Sequence, residues 1–157
     1  MSAVEIGALL REKGLKLGVV ESATGGLISN LITNIPGSSN YYKGSITAYS
    51  NEIKIKLVGV AASTLEEHGA VSQQVAEEMA AGGRLALNVD ICIADTGIAG
   101  PDGASAEKPV GLFYLGLADR EGALSRRYVF TGNRRENKAE AAFAALTWLK
   151  EHLKSFK

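Results

Sequence analysis

The run Glu21-Ser22-Ala23-Thr24-Gly25-Gly26-Leu27 stands between an apolar stretch, Leu15 to Val20, and a stripe of Leu27, Ile28, Leu31 and Ile32 at helical spacing. A strand that turns through small residues into a helix fixes where the sheet ends and its cover begins. It also holds a serine hydroxyl close to the unpaired N–H groups and the dipole of a helix N-terminus, where negative charge is favoured. Glycines at 25 and 26 let a ligand approach the backbone without a Cβ in the way. That arrangement suits a bound phosphate or the oxyanion of an acyl transfer, and the pattern by itself does not choose between them.

The rest of the chain alternates in the same way. Met1 to Lys13 reads as a short amphipathic helix rather than a signal peptide, Lys16 to Glu21 as a buried strand, and Thr24 to Thr33 as a helix closed by Pro36-Gly37-Ser38-Ser39. Ser45 to Tyr49 alternates as a strand, with Thr47 and Tyr49 on one face, and Asn51 to Leu57 follows as a helix. Ser63 and Ser72 are the expected N-caps of two further helices, the second carrying Val75, Met79 and Leu85. Val89 to Thr96 is a third buried strand running into Gly97-Ile98-Ala99-Gly100-Pro101-Asp102-Gly103. Gly111 to Ala118 and Ser125 to Phe130 form a hairpin across Asp119-Arg120-Glu121-Gly122, and a last helix runs from near Asn133 to about Phe156, burying Ala142, Leu146 and Leu149. The expectation is one domain over residues 1–157 in the α/β class: a three-layer α/β/α fold with a mixed, mostly parallel sheet of about five strands. Ligands in such sheets gather beyond the carboxyl ends of strands, so a site is expected where the turns after Glu21 and Thr96 meet.

Composition narrows the function. The 157 residues carry zero formal net charge and few aromatics, which disfavours nucleic-acid binding through phosphate neutralisation. No segment reaches the ~20 apolar residues of a membrane span. The single cysteine, Cys92, lies inside an apolar run and reads as a small buried hydrophobe, so no intrachain disulfide exists and a reducing, cytoplasmic setting is expected. The two histidines, His68 and His152, have no metal-ligand spacing, and no metal is expected. A chain this small is expected to form a homo-oligomer, a dimer being favoured.

Neither G-x-G-x-x-G, G-x-x-x-x-G-K-[ST] nor G-x-S-x-G occurs, which removes the Rossmann, P-loop and nucleophile-elbow readings. Both histidines are poorly placed for a triad: His152 in the terminal helix, His68 at a helix end before Gly69. A hydrolytic serine without histidine commonly uses lysine as its base. The literal Ser105-Ala-Glu-Lys108 motif is discounted, because Pro109 biases Lys108 away from helical geometry. Lys54, just past Tyr49-Ser50-Asn51, is the better candidate, with Lys56 its competitor on another helical face. At the start of the last helix Asn133 is a candidate cap, and Arg134 or Arg135 a candidate phosphate clamp.

Glu21-Ser22-Ala23-Thr24-Gly25-Gly26, Pro36-Gly37-Ser38-Ser39, Tyr49-Ser50-Asn51 with Lys54, and His68-Gly69-Ala70-Val71-Ser72 together resemble the CinA C-terminal domain family. Thr96 to Gly103, Lys108-Pro109-Val110-Gly111 and Gly132-Asn133-Arg134 extend the resemblance, in order, over nearly the whole chain. The resemblance implies the family's stand-alone nicotinamide-nucleotide amidase form, which hydrolyses the carboxamide of nicotinamide mononucleotide to nicotinic acid mononucleotide and ammonia, in pyridine nucleotide recycling, without metal or organic cofactor. It implies Ser22 as nucleophile, Lys54 as general base and Tyr49 ordering the pair. It further implies Thr24, Gly25 and Gly26 as oxyanion donors, Thr96 and Gly97 lining the pocket, and Arg134 meeting the phosphate. The alternative is a non-catalytic nucleotide-binding regulatory module linked to competence or the DNA-damage response. Three positions depart from the family pattern: Ala23 stands where cysteine is frequent, Asn133 where aspartate is, and Lys138 where a second arginine is expected.

Overall fold

The computed structural model describes residues 2–157; of the expected first helix, Met1 lies outside the described residues. The elements are α1 (Ser2–Lys13), β1 (Leu17–Glu21), α2 (Leu27–Thr33), β2 (Tyr42–Thr47), α3 (Asn51–Val58), α4 (Ala62–His68), α5 (Gln73–Leu87), β3 (Ile91–Gly97), β4 (Leu112–Asp119), β5 (Gly122–Val129) and α6 (Arg134–Ser155). They form a three-layer α/β/α fold around a mixed sheet of five strands in the order β2-β1-β3-β4-β5. β2, β1 and β3 run parallel, while β4 and β5 extend the sheet antiparallel.

The period of two along each central strand sends alternate residues to different layers. Leu17 and Val19 of β1, Ile91 and Ile93 of β3, and Leu115 and Leu117 of β4 pack with α1, α2 and α6, whose contributions include Ile6, Leu10, Ile28, Leu146, Trp148 and Leu149. Val20, Cys92, Ala94 and Ala118 face the other way, towards Val75, Met79 and Ala80 of α5. That second face is built from small side chains, and the helix lies very close to it. A Cβ on Gly83 of α5 would fall 2.2 Å from Val20 Cγ2, and one on Gly116 of β4 would fall 2.1 Å from the Ala76 carbonyl oxygen. Burial pushes the Cys92 thiol up to about 12, consistent with an inert packing residue.

Local signals set most boundaries. Ser72 accepts from Val75 N–H at 3.3 Å, Ser50 from Ile53 N–H at 3.2 Å, and Asn133 forms a capping box with Glu136. Ser63 does not cap α4. The helix begins at Ala62 with Ala61 at the cap position, and Glu78 of α5 does the work from outside, accepting from Ala61 N–H at 2.9 Å and Thr64 Oγ1 at 2.7 Å. The second strand is displaced from the expected Ser45–Tyr49. Pairing with β1 starts at Tyr42 and ends at Thr47, and Ala48 to Ser50 turn away into the cap of α3. The hairpin turn is two residues, Arg120-Glu121, because Asp119 pairs directly with Gly122 and β5 therefore starts three residues earlier than expected. None of the helices is long and apolar enough to cross a membrane.

Candidate active site

At the carboxyl ends of β1 and β3 the two glycine-containing turns meet around a cavity of about 220 Å3, lined among others by Ser22, Ala23, Tyr49, Lys54, Thr96, Gly97 and Arg134. Lys54 is the central group. On α3 only Lys54 and Val58, one turn apart, are buried, whereas Lys56 points to solvent. Lys54 is 2% exposed, its Nζ lies 2.9 Å from Ser22 Oγ, and the same nitrogen donates to the Tyr49 carbonyl at 3.0 Å. Burial pushes this amine below the ordinary lysine value of 10.5, against the opposing pull of the Asp95 carboxylate. A lysine in this state is able to accept a proton from a serine hydroxyl, the requirement for an alkoxide nucleophile at a site without histidine.

The Ser22 turn is held from beneath by two carboxylates. Asp95, fully buried on β3, accepts from Ser22 N–H at 2.9 Å, from Thr24 N–H at 3.2 Å and from the Thr24 hydroxyl at 2.5 Å. Glu21, also fully buried, accepts from Ile28 N–H at 2.8 Å, Ser29 N–H at 3.0 Å, Ser29 Oγ at 2.6 Å and Thr24 Oγ1 at 2.7 Å. Burial lifts the Asp95 carboxyl to about 6; the bonds from Thr24 and Ser22 pull against that rise, and the nearby charge of Glu21 adds to it.

These contacts take up two of the three amides expected as oxyanion donors. Ile28 and Ser29 N–H in the first turn of α2 serve Glu21, Thr24 N–H serves Asp95, and Gly25 N–H bonds the Ser22 carbonyl at 3.1 Å. Of the turn's amides, Ala23 N–H and Gly26 N–H have no hydrogen-bond partner among the described residues, and only Ala23 lines the Ser22 cavity. Thr24, Gly25 and Gly26 instead border a different cavity of about 500 Å3, with Arg135 and Lys138. The phosphate alternatives separate in the same way. Arg134 faces the Ser22 cavity, donating to the Gly100 carbonyl at 2.7 Å, while Arg135 and Lys138 face the second cavity.

Tyr49 is 62% exposed, and its hydroxyl lies 3.4 Å from Arg134 rather than on the Ser22–Lys54 pair, which it meets only through its main-chain carbonyl. Thr96 donates from Oγ1 to the Ala70 carbonyl at 2.7 Å, fixing the wall formed by Ala70 and Val71. Ile98, Ala99, Asp102 and Gly103, from the turn after Thr96 expected at the site, line it as well, and so does Asn51. Lys108, from the discounted Ser105 motif, ties its loop to the end of α4 by donating to the His68 carbonyl at 2.6 Å. His152 lies at the other end of the sheet, 2.8 Å from Asp119. No cluster of three or more histidine, cysteine or acidic side chains able to hold a metal occurs among the described residues.

Known proteins resemble this chain over nearly its whole length. A "CinA-like protein" of Geotalea uraniireducens is 47% identical over 97% of this chain and 36% of its own length, so the chain spans about a third of that relative. The "Nicotinamide-nucleotide amidohydrolase PncC" of Enterobacter agglomerans is 46% identical over 98% of this chain and 94% of its own. The crystal structure of the competence damage-inducible protein A (ComA) from Klebsiella pneumoniae superposes with a TM-score of 0.96 at 29% identity, covering 99% of this chain and 97% of that one. Residues 1–153 match the family defined as the CinA C-terminal domain, and the chain belongs to that family.

Proposed function

We propose that this protein is a nicotinamide-nucleotide amidase working by a serine–lysine mechanism, with the whole site carried by one domain over residues 1–157. The observation that carries the reading is the 2.9 Å contact between Lys54 Nζ and Ser22 Oγ, both buried and both lining the cavity between the two turns. The relative named a nicotinamide-nucleotide amidohydrolase, alike over nearly the full length of both chains, supports the choice of substrate.

In this mechanism the neutral Lys54 amine takes the Ser22 hydroxyl proton as Oγ attacks the carboxamide carbon of nicotinamide mononucleotide. The carbonyl π electrons move to oxygen, and Ala23 N–H, the free amide beside the nucleophile, donates to that oxyanion; one such donor is commonly worth about 3 kcal/mol. The Lys54 ammonium returns its proton to the amide nitrogen, the C–N bond breaks, and ammonia leaves an acyl-serine. Water then attacks the ester with Lys54 again as base, releasing nicotinic acid mononucleotide and restoring Ser22. Arg134 carries the only guanidinium among the described residues that line this cavity, and it meets the substrate phosphate.

The test is ammonia release from nicotinamide mononucleotide by the purified protein, alongside Ser22→Ala and Lys54→Ala. Both variants should lose release while still binding the nucleotide in calorimetry. Full release by both would remove the mechanism. Tight binding by the unmodified protein with no ammonia would identify the non-catalytic regulatory module instead.

A further inference from the structure

The steps above leave the two buried carboxylates under the Ser22 turn unused. Thr24 has one hydroxyl proton, yet its Oγ1 lies 2.7 Å from Glu21 Oε1 and 2.5 Å from Asp95 Oδ1. One O–H donates to one acceptor. With both acids ionised, the second contact would press oxygen lone pairs against a buried negative charge with no proton between them, an arrangement that like-charged carboxylates avoid by keeping a proton. Both contacts are satisfied when one acid is protonated and donates to Thr24 Oγ1, while Thr24 donates to the other.

The distribution of donors says which acid that is. Three donors besides the Thr24 hydroxyl converge on Glu21, from Ile28 N–H, Ser29 N–H and Ser29 Oγ, against two on Asp95, from Ser22 N–H and Thr24 N–H. We infer that Glu21 and Asp95 share one proton across the Thr24 hydroxyl, held on the Asp95 side, and that Asp95 is the positioning residue that fixes the Ser22 backbone and sets the charge facing Lys54. The charged groups that act on Asp95 are Glu21 on β1 and Lys54 on α3. Lys138 lies beyond the turn, its Nζ 3.6 Å from where a Gly25 Cβ would stand. Lys54 is the one whose protonation the reaction needs to vary. A proton on Asp95 weakens the hold on a Lys54 ammonium, and its loss strengthens it. This consequence for catalysis rests on the serine–lysine reading; the shared proton does not.

Two measurements test it separately. Infrared spectra near pH 5, above the ordinary carboxyl range of ~4, should show a buried protonated carboxyl band. The band should be lost in Asp95→Asn, kept in Thr24→Ser, and moved or lost in Thr24→Val. Absence of the band in the unmodified protein, or its persistence unchanged in Asp95→Asn, overturns the shared proton. In kinetics, Asp95→Asn should lower kcat by about tenfold to a hundredfold through loss of an aligning bond, leave KM within about twofold, and move the rise of kcat with pH to lower pH, because above about 6 Asp95 gives up its proton and the carboxylate that then holds Lys54 protonated is missing from the variant. An unshifted rise in a folded Asp95→Asn protein overturns the role assigned to Asp95. If that variant does not fold, the Thr24→Ser and Thr24→Val spectra decide on the shared proton. An active Ser22→Ala protein with the carboxyl band intact would remove the mechanism and leave the proton where it is placed.

Discussion

The turns after β1 and β3 border the same cavity and are held by opposite means. The first, Ser22 to Gly26, sits on two fully buried carboxylates that take up its amides and hydroxyls. The second begins buried at Ile98 and Ala99 and then emerges as an exposed strap through residues 101–107. It is fastened by neutral and cationic donors to its carbonyls: Asn137 Nδ2 to Ala99 at 3.0 Å and Arg134 to Gly100 at 2.7 Å. Buried ionic support is expensive and rigid, because a charge removed from water must be satisfied in full. Main-chain anchoring leaves an exposed segment room to adapt. The first turn is therefore suited to hold a reacting atom, and the second to recognise what is presented to it. Changes at the first should appear in kcat and changes at the second in KM.

The sharpest way to break that division is Lys54→Met. Activity should fall by about three orders of magnitude or more, as when a nucleophile loses its base, measured as kcat for ammonia release. The folded protein should gain stability in urea at neutral pH. Its native amine sits below the ordinary lysine value, so burying Lys54 carries a stability cost that is complete below the lowered value and fades as pH rises towards 10.5, because in between the unfolded chain binds a proton that the native state has lost. A methionine of similar length removes that cost, offset in part by the unpaired Tyr49 carbonyl. The same lowered amine predicts that kcat of the unmodified enzyme rises with pH and levels off below the usual lysine range. A rise centred at or above 10.5 would contradict it.

Arg134→Ala probes the second turn's side of the division. Its guanidinium lies at the rim with Tyr49, 3.4 Å from that hydroxyl, and away from the Ser22–Lys54 contact. Losing a charge-assisted phosphate contact should raise KM for nicotinamide mononucleotide by about tenfold to a hundredfold with kcat little altered. The dephosphorylated nucleoside should be unaffected by the substitution. Equal losses for both compounds would mean that Arg134 acts by holding Gly100 and not by meeting phosphate.

The difference between the turns also separates what the sequence reveals from what it hides. The fold is legible because period-two strands, helical stripes and caps such as Ser50, Ser72 and Asn133 are local signals. Ser63 misleads because α4 takes its cap from Glu78, sixteen residues beyond Ala62 where the helix begins, and no local pattern encodes that reach. Within the site, Ser22, Lys54, Thr96, Gly97 and Arg134 do line one cavity. Thr24, Gly25 and Gly26 border a second cavity, and Glu21 accepts from Ile28 and Ser29 N–H in the first turn of α2, where an anion would otherwise be held. A sequence gives the presence of glycines, not the side from which they are reached. Asp95 did leave a trace: one acid at the end of the apolar run Ile91-Cys92-Ile93-Ala94 has to be paired if it is buried.

The smallest expected effect concerns the outer fastening of the second turn. Lys108 Nζ reaches the His68 carbonyl at 2.6 Å, and a Cβ on Gly69 would stand 2.9 Å from that nitrogen. Gly69 also has φ near +76°, so the last turn of α4 and the strap are fitted to each other by a residue without a side chain. Lys108→Met keeps most of the stem and removes the donor. It should cost about 1 kcal/mol of stability and raise KM by no more than a few fold, because Thr96 still holds the Ala70 wall from the other side. A loss in kcat comparable with that of Lys54→Met would show that the strap positions the reacting groups, and the separation of the two turns would then fail.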